Sequence, residues 1–577
     1  MPVWPDARHA NHAKKKDGTR ADHTDRIGTA LSTIVLVVSC VACIVLSLLS
    51  LCSTAILQAQ ASTSQSPITV YFTENMIVYK GAPSLKFLLG IIIITGAYLI
   101  LAKAVSALPT RCVGRTLVLF SLSIALIWVL AFNVNGTYWY NDAQTLLGSS
   151  QSFLEHDYFQ FSPDSPAHRT GSPEYDVYYS WYPFQTGAML WFAFVFSIVG
   201  VGNIVGFQII NAFMICGIVW SVWKLGKLCG LSDAAQRIEA LLLMTCFPLL
   251  MVAPLVYTNS AGLFFVLLAV IVGLYAMRQE SPLRKALLAV AAFLIAAVAM
   301  MVKGTVIIFV LALLIVLVIE AVIHHLWWHI PLYCVLFLAA HQLSGMSVTI
   351  VEAVTGQHFG SGMPQLFWIA IGLNPQSFDG NVPGWWSDIA INAYTETHGD
   401  TAQQSAIARQ YIADSLTTFI QNPAEGWTFF VNKLSSEWAE PTFQSLHYSQ
   451  LSENIHPADF VVELYQGTAH DVLIGFENIY QSLIYIFATV GVIILLIKRK
   501  AMRNNVSVFL TNTYVALVFL GGFVCFLFWE AKGIYTLPFL VMLIPLAAQG
   551  MDRLYQTAGS GFGILSSHMR NRTQQTV

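Results

Sequence analysis

The chain has 577 residues, of which 56% are hydrophobic and 10% charged, with a formal net charge of −2. A soluble chain of this length carries about a quarter charged residues, and no basic surface of the kind a nucleic acid requires is present. One large soluble core is excluded as well, because the apolar residues run in uninterrupted blocks of about 18 or more, long enough to cross ~30 Å of hydrocarbon.

In chain order, residues 1–28 are polar and basic, with Lys14, Lys15, Lys16, Arg20 and Arg26, and lead into an apolar run from Ile27 to about Leu57. Basic residues flanking a first helix keep that end in the cytoplasm. The run exceeds a signal-peptide core, so an uncleaved anchor is expected even though Ala59-Gln60-Ala61 has the form of a cleavage site. Further blocks lie near 86–107, 116–134, 184–201, 205–223, 238–256, 260–277, 285–302, 304–323, 329–343, 479–497, 507–529 and 533–550, thirteen with the first. Three basic clusters mark cytoplasmic connections: Lys103, Arg111 and Arg115; Arg278, Arg284 and Lys285; and Lys498, Arg499, Lys500 and Arg503.

These signals predict an all-α integral membrane protein of about 12–13 transmembrane helices with a non-cytoplasmic, mainly helical loop domain, set in the cell membrane. Its parts are three N-terminal helices within 29–134, a first outer loop at 135–183, a helix bundle at 184–343, an outer loop domain at 344–478, three helices within 479–550, and a cytoplasmic tail at 551–577. Seven blocks separate the two loops, an odd number, so one of them does not cross fully. The candidates are 205–223 and the pair 285–323, broken at Lys303-Gly304.

The first loop is rich in aromatic and acidic residues, from Tyr138, Trp139, Tyr140 and Asp142 through Glu155, Asp157, Asp164, Glu174 and Asp176 to Tyr178, Tyr179, Trp181 and Tyr182. In the second, Asp400-Thr401-Ala402-Gln403 is a capping signal that opens a helix. Ile407, Tyr411, Ile412, Leu416, Phe419 and Ile420 would give that helix an apolar face before Asn422-Pro423 stops it, and a second helix is expected over 424–438. The nine cysteines lie in apolar blocks or short connections and none in the long loops, which excludes a disulfide framework there.

Asp142 is the strongest candidate for chemistry. It lies just past the third block, where a carboxylate can take a proton from an acceptor hydroxyl at headgroup depth. The plainer alternative is a cap for a helix beginning near Ala143.

Asn141-Asp142, the aromatic and acidic loop, and Tyr182-Pro183-Phe184-Gln185 opening the next helix together resemble the polyprenyl-phosphate-sugar glycosyltransferases of the GT-C superfamily. Protein O-mannosyltransferases and the lipid A aminoarabinose transferase belong to it. Val256-Tyr257-Thr258-Asn259, Met301-Val302-Lys303-Gly304 and Trp529-Glu530-Ala531-Lys532-Gly533-Ile534-Tyr535 before Pro538 add to the likeness, which spans roughly 115–550 and leaves two extra helices in front. The resemblance implies a catalytic base at Asp142. Members often carry a second acid beside the first, whereas here Ala143 follows, leaving Asp157, Glu174 and Asp176 as possible assistants. A lipid-phosphate donor calls for cations at the outer interface. Arg169, Lys303 and Lys532 are candidates with Tyr182 and Tyr535, each lysine having the alternative of snorkelling to the interface, and Lys433 reads as an interface lysine of that kind. Trp385 and Trp386, a partial echo of the oligosaccharyltransferase Trp-Trp-Asp motif, read as a sugar-stacking surface or as loop core.

No cofactor is expected. His324, His325 and His329 stand among tryptophans without carboxylate or cysteine partners, and no phosphate-binding glycine loop occurs. The implied partners are a polyprenyl-phosphate-linked sugar, the bilayer, and a glycan, lipid or protein acceptor. Two rival readings are an O-antigen-type polymerase or ligase, which would use residues such as Arg409 or His447, and a transporter or flippase, which would need polar residues in mid-membrane.

Overall fold

A computed structural model describes residues 7–57, 76–134, 141–165, 174–376, 381–449, 455–457, 459–502 and 505–574. Ala59-Gln60-Ala61, Tyr138, Trp139, Tyr140 and Arg169 lie outside the described residues. The chain is an all-α multi-pass membrane protein, with eleven helices among the described residues long and apolar enough to cross a membrane.

The first three are α1 (Ala7–Cys52), α2 (Leu85–Ala104) and α3 (Thr110–Ala131). A short hairpin of β1 (Ser53–Leu57) and β2 (Met76–Lys80) links α1 to α2. Ile92, Ile93 and Ile100 on α2 are 66–70% exposed, as expected of a face turned to hydrocarbon rather than water. After α3 come α4 (Asn141–Leu154), α5 (Tyr175–Trp181) and α6 (Thr186–Val199), the last bent 110° from α5 at Tyr182-Pro183.

The central group is α7 (Ile204–Leu228), α8 (Asp233–Met244), α9 (Phe247–Leu250), α10 (Asn259–Ala276), α11 (Pro282–Val302), α12 (Ile307–Ile323) and α13 (His329–Thr355). The large loop follows, with α14 (Leu366–Gly372), α15 (Ile389–Glu396), α16 (Thr401–Gln421), α17 (Pro423–Trp438), α18 (Ser445–Ser449) and α19 (Asp459–Gln466). The chain closes with α20 (Thr468–Met502), α21 (Val506–Phe528) and α22 (Gly533–Gln574).

Side-chain contacts fix which way the segments run. At one end of the bundle Arg278 donates to the carbonyl of Leu228 (2.8 Å), and Arg237 to that of Leu108 (3.1 Å). At the other end Tyr257 meets Asp142. Helix α7 therefore runs from the loop end, where Asn211 donates to the carbonyls of Ala253 and Leu255, to the opposite end at Leu228. Helix α6 begins beside Met301 and leads directly into Ile204, so it starts and finishes at the loop end.

The block that does not traverse the bundle is thus 184–201, rather than 205–223 or 285–323. The return is made by 233–258, a broken path of α8, α9 and irregular chain. Its unwound carbonyls are buried away from water and need partners, which Gln208 on α7 supplies at Pro254 and Asn211 at its two neighbours.

In the large loop the capping signal is realised, since the Asp400 carboxylate accepts from the backbone N–H groups of Ala402 and Gln403 at 2.9 Å each. Helix α16 departs from a single buried stripe. Ile407, Ile412 and Phe419 pack inward, whereas Tyr411, Leu416 and Ile420 are exposed.

Candidate active site

The loop end gathers residues that are far apart in sequence. Helix α4 starts at Asn141, so Asp142 lies in its first turn. Its carboxylate accepts from the hydroxyl of Tyr178 on α5 (3.1 Å) and from that of Tyr257 (3.2 Å), which in turn accepts from the Gln185 amide (2.9 Å). The two tyrosines fix the carboxylate from opposite elements and leave each oxygen a further lone pair.

Lys303 stands between α11 and α12, where the chain turns. Its ammonium faces the rings of Tyr257 (4.7 Å to the centroid) and Tyr535 (5.3 Å). Burial pushes this lysine down to about 8; the charges of Asp142 and Glu530 act against that shift, and Lys532 adds to it. Tyr182 lies within electrostatic reach of Asp142, Glu530 and Lys532, and its hydroxyl is hydrogen-bonded to the Trp386 side chain.

The large loop is latched onto this cluster in two places. The N–H of Met363 donates to the Trp181 carbonyl (3.1 Å), and Gly362, at φ +70°, lies so close to Pro183 that a Cβ would come within 2.4 Å of its Cδ. Only glycine meets both demands. The second latch is a parallel bridge between Trp385 and Ala531, with the Ala531 N–H donating to the Gly384 carbonyl (2.9 Å). Lys532 emerges from that bridge over the Tyr448 ring at 5.9 Å.

The two neighbouring tryptophans therefore differ. Trp385 is core, packed with Val382 and Ala531 and donating to Ser436 (2.8 Å), whereas Trp386 faces the cluster.

Asp142, Tyr182, Lys303, Lys532, Tyr535 and Trp386 are thus brought together. Asp157 is exposed and accepts from Gln160 (3.1 Å), and Glu174 is exposed at the start of α5. Asp176 is half-buried, and one of its carboxylate oxygens has no hydrogen-bond partner. Arg409 is exposed on α16, whereas His447 is buried next to Tyr448. Lys433 has all its donors engaged, at the carbonyls of Gly372 (2.6 Å), Trp529 (2.7 Å) and Leu527 (3.2 Å).

Sequence reasoning did not single out Tyr178, Gln185 or Glu530 as members of the cluster. Glu530 carries a signal in retrospect, because an acid two residues from a lysine at a helix start is unusual next to a membrane. Tyr178 and Gln185 carry none.

Below Lys303 and Tyr535 lies a narrow crevice of about 30 Å³, walled by Leu263, Val306, Phe309, Pro538 and Phe539. A roomier cavity of about 150 Å³ lies at the opposite end, between Ser232, Lys498, Asp552 and Arg553, and touches none of these groups. Among the described residues no group of three metal-ligating side chains occurs. No family model, curated protein or solved structure matches the chain.

The arrangement offers a proton acceptor, two cations and an apolar groove within one cluster. That combination suits an amphiphile whose anionic group is cleaved or transferred where the bundle meets its loops.

Proposed function

We propose that the chain is a membrane glycosyltransferase that moves a sugar from a polyprenyl-phosphate carrier to a cell-envelope glycan, lipid or protein on the non-cytoplasmic face. The observation that carries this reading is the meeting of Asp142, held by two tyrosine hydroxyls, with Lys303 and Lys532 above an apolar crevice. An acceptor hydroxyl gives its proton to Asp142 as its oxygen bonds to the anomeric carbon. The bond from that carbon to the carrier phosphate breaks, and its electron pair leaves on the phosphate. Lys303 and Lys532 neutralise the negative charge that grows there.

Tyr178 and Tyr257 orient the base, and Trp386 with Tyr182 borders the sugar. Asp142→Asn tests the reading, because it keeps the shape of the side chain and removes proton acceptance. Turnover of a polyprenyl-phosphate sugar should drop by roughly 10²–10⁴ while the protein level holds. Asparagine caps a helix nearly as well as aspartate, so wild-type turnover in Asp142→Asn would remove Asp142 as the base.

A further inference from the structure

The bundle takes in a polar loop that the proposed chemistry does not use. From Lys433 to Ser449 every residue is buried, although the segment carries Glu437, Glu440, Thr442, Gln444 and His447. It is inserted between α20, α21 and α22. The Trp438 ring packs against Phe519, Phe523 and Phe539, and its carbonyl accepts from Gln481 (2.6 Å) and Tyr485 (2.9 Å).

At the bottom of this loop the backbone turns through two successive left-handed residues, neither of them glycine: Phe443 at φ 48° and Gln444 at φ 59°. Side chains there are strained, and such a turn persists only where its surroundings determine it. The Glu440 carboxylate is what surrounds it. One oxygen accepts from the Thr442 N–H (3.1 Å) and hydroxyl (2.8 Å), and the other accepts from the Gln444 N–H (2.6 Å).

The turn is also tied to the candidate site. The Gln444 side-chain carbonyl accepts from the Ile534 N–H (3.3 Å), and Tyr448 presents its ring to the Lys532 ammonium. Gly533 lies between those two ties, with Phe443 and Gln444 directly against it.

We propose that Glu440 is a positioning residue for Lys532: its carboxylate clamps the left-handed turn at Phe443-Gln444, and that turn holds residues 532–534 in place. The importance of Lys532 rests on the reading given above, in which it faces the donor phosphate. Its placement by Glu440 does not depend on that reading. A purely packing role for the loop makes a different prediction, because loosening would then spread to everything the loop touches.

The test uses Glu440→Gln in the full-length protein. An amide offers one acceptor face and one donor face where the carboxylate offers two acceptors, so one backbone N–H loses its partner. Wild type and variant are treated with an acetylating N-hydroxysuccinimide ester, and modification of each lysine is read by peptide mass spectrometry. Exposed Lys86 is the reference, and buried Lys433, seven residues before Glu440, is the control.

Acylation of Lys532 should rise about fivefold, the factor that goes with one lost hydrogen bond, while Lys433 stays protected. The kcat/KM for a polyprenyl-phosphate sugar should fall by a similar factor, with kcat falling as well, because Lys532 answers charge that grows in the transition state. If Glu440→Gln does not accumulate, Gln444→Met cuts the tie to Ile534 and should give the same pattern. Unchanged Lys532 acylation, or Lys433 rising in step with it, overturns the proposal. A protein that transfers no sugar yet shows the acylation pattern keeps the positioning role and loses the glycosyltransferase reading.

Discussion

Lys433 is buried and Lys303 half-buried, both lie beside helix ends, and desolvation of the ammonium pushes both down to about 8. They differ in what their protons meet. Lys433 engages carbonyls at the ends of α14 and α21, where the helix dipole favours a cation and the last carbonyls lack partners. Lys303 faces two aromatic rings, and among the described residues no carbonyl accepts from it. A desolvated lysine in a membrane bundle therefore points to a ligand only when its donors are not already used by the fold. Lys303 meets that condition and Lys433 does not.

The largest effect expected from this contrast is on stability. Lys433→Met leaves three carbonyls without their donor, and thermal unfolding in detergent should report a loss of roughly 3 kcal/mol. Lys303→Met removes a charge whose burial is unfavourable, so stability should hold or rise while affinity for a polyprenyl-phosphate donor falls about tenfold or more. Equal destabilisation by the two substitutions would erase the distinction.

Titration sharpens the contrast. The folded value for Lys303 is about 8 against an ordinary 10.5, so the unfolded chain binds the proton more tightly. Stability from this group therefore rises with pH between about 8 and 10.5, while donor binding, which needs the charge, falls through about pH 8. Donor affinity that is flat from pH 7 to 9 would remove Lys303 from the phosphate site.

The smallest effects separate the two tryptophans. Trp385→Phe loses a buried hydrogen bond to Ser436 and should lower stability by about 1–2 kcal/mol with KM unmoved. Trp386→Phe loses the contact with Tyr182 and should raise KM about fivefold with stability unmoved. Steady-state kinetics and thermal unfolding on the same two variants decide between these outcomes.

What could be read in advance was local. Apolar block length identified the membrane class, and Asp400 with Gln403 located the start of α16 because a cap depends on three or four residues. The odd number of blocks showed that one does not cross, but not which. Helix α6 has the composition of a crossing helix, and only the 110° bend at Tyr182-Pro183 and the course of α7 reveal that it stays at the loop end. The block 238–256 hides its break in the same way, because Gln208 and Asn211, which support its unwound chain, lie on another helix. At the site, Asp142 and Lys303 stood out as charges near apolar blocks. Tyr178 was one of several tyrosines in a row, and only the fold distinguishes the one that reaches Asp142 from Tyr179, which bonds Ser149.

The second latch has a consequence for how the protein comes into being. Asp142 and Tyr178 leave the ribosome early, Lys303 later, and the Trp385–Ala531 bridge can form only once the chain has been made past residue 531. Until then Trp385 has no strand to pair with, and the last helix has yet to supply Tyr535 to Lys303. A nascent chain stalled before residue 531 would hold Asp142, Tyr178, Tyr257 and Lys303 but neither Lys532 nor Tyr535, so the two halves of the site meet only when the segment after α21 has been made.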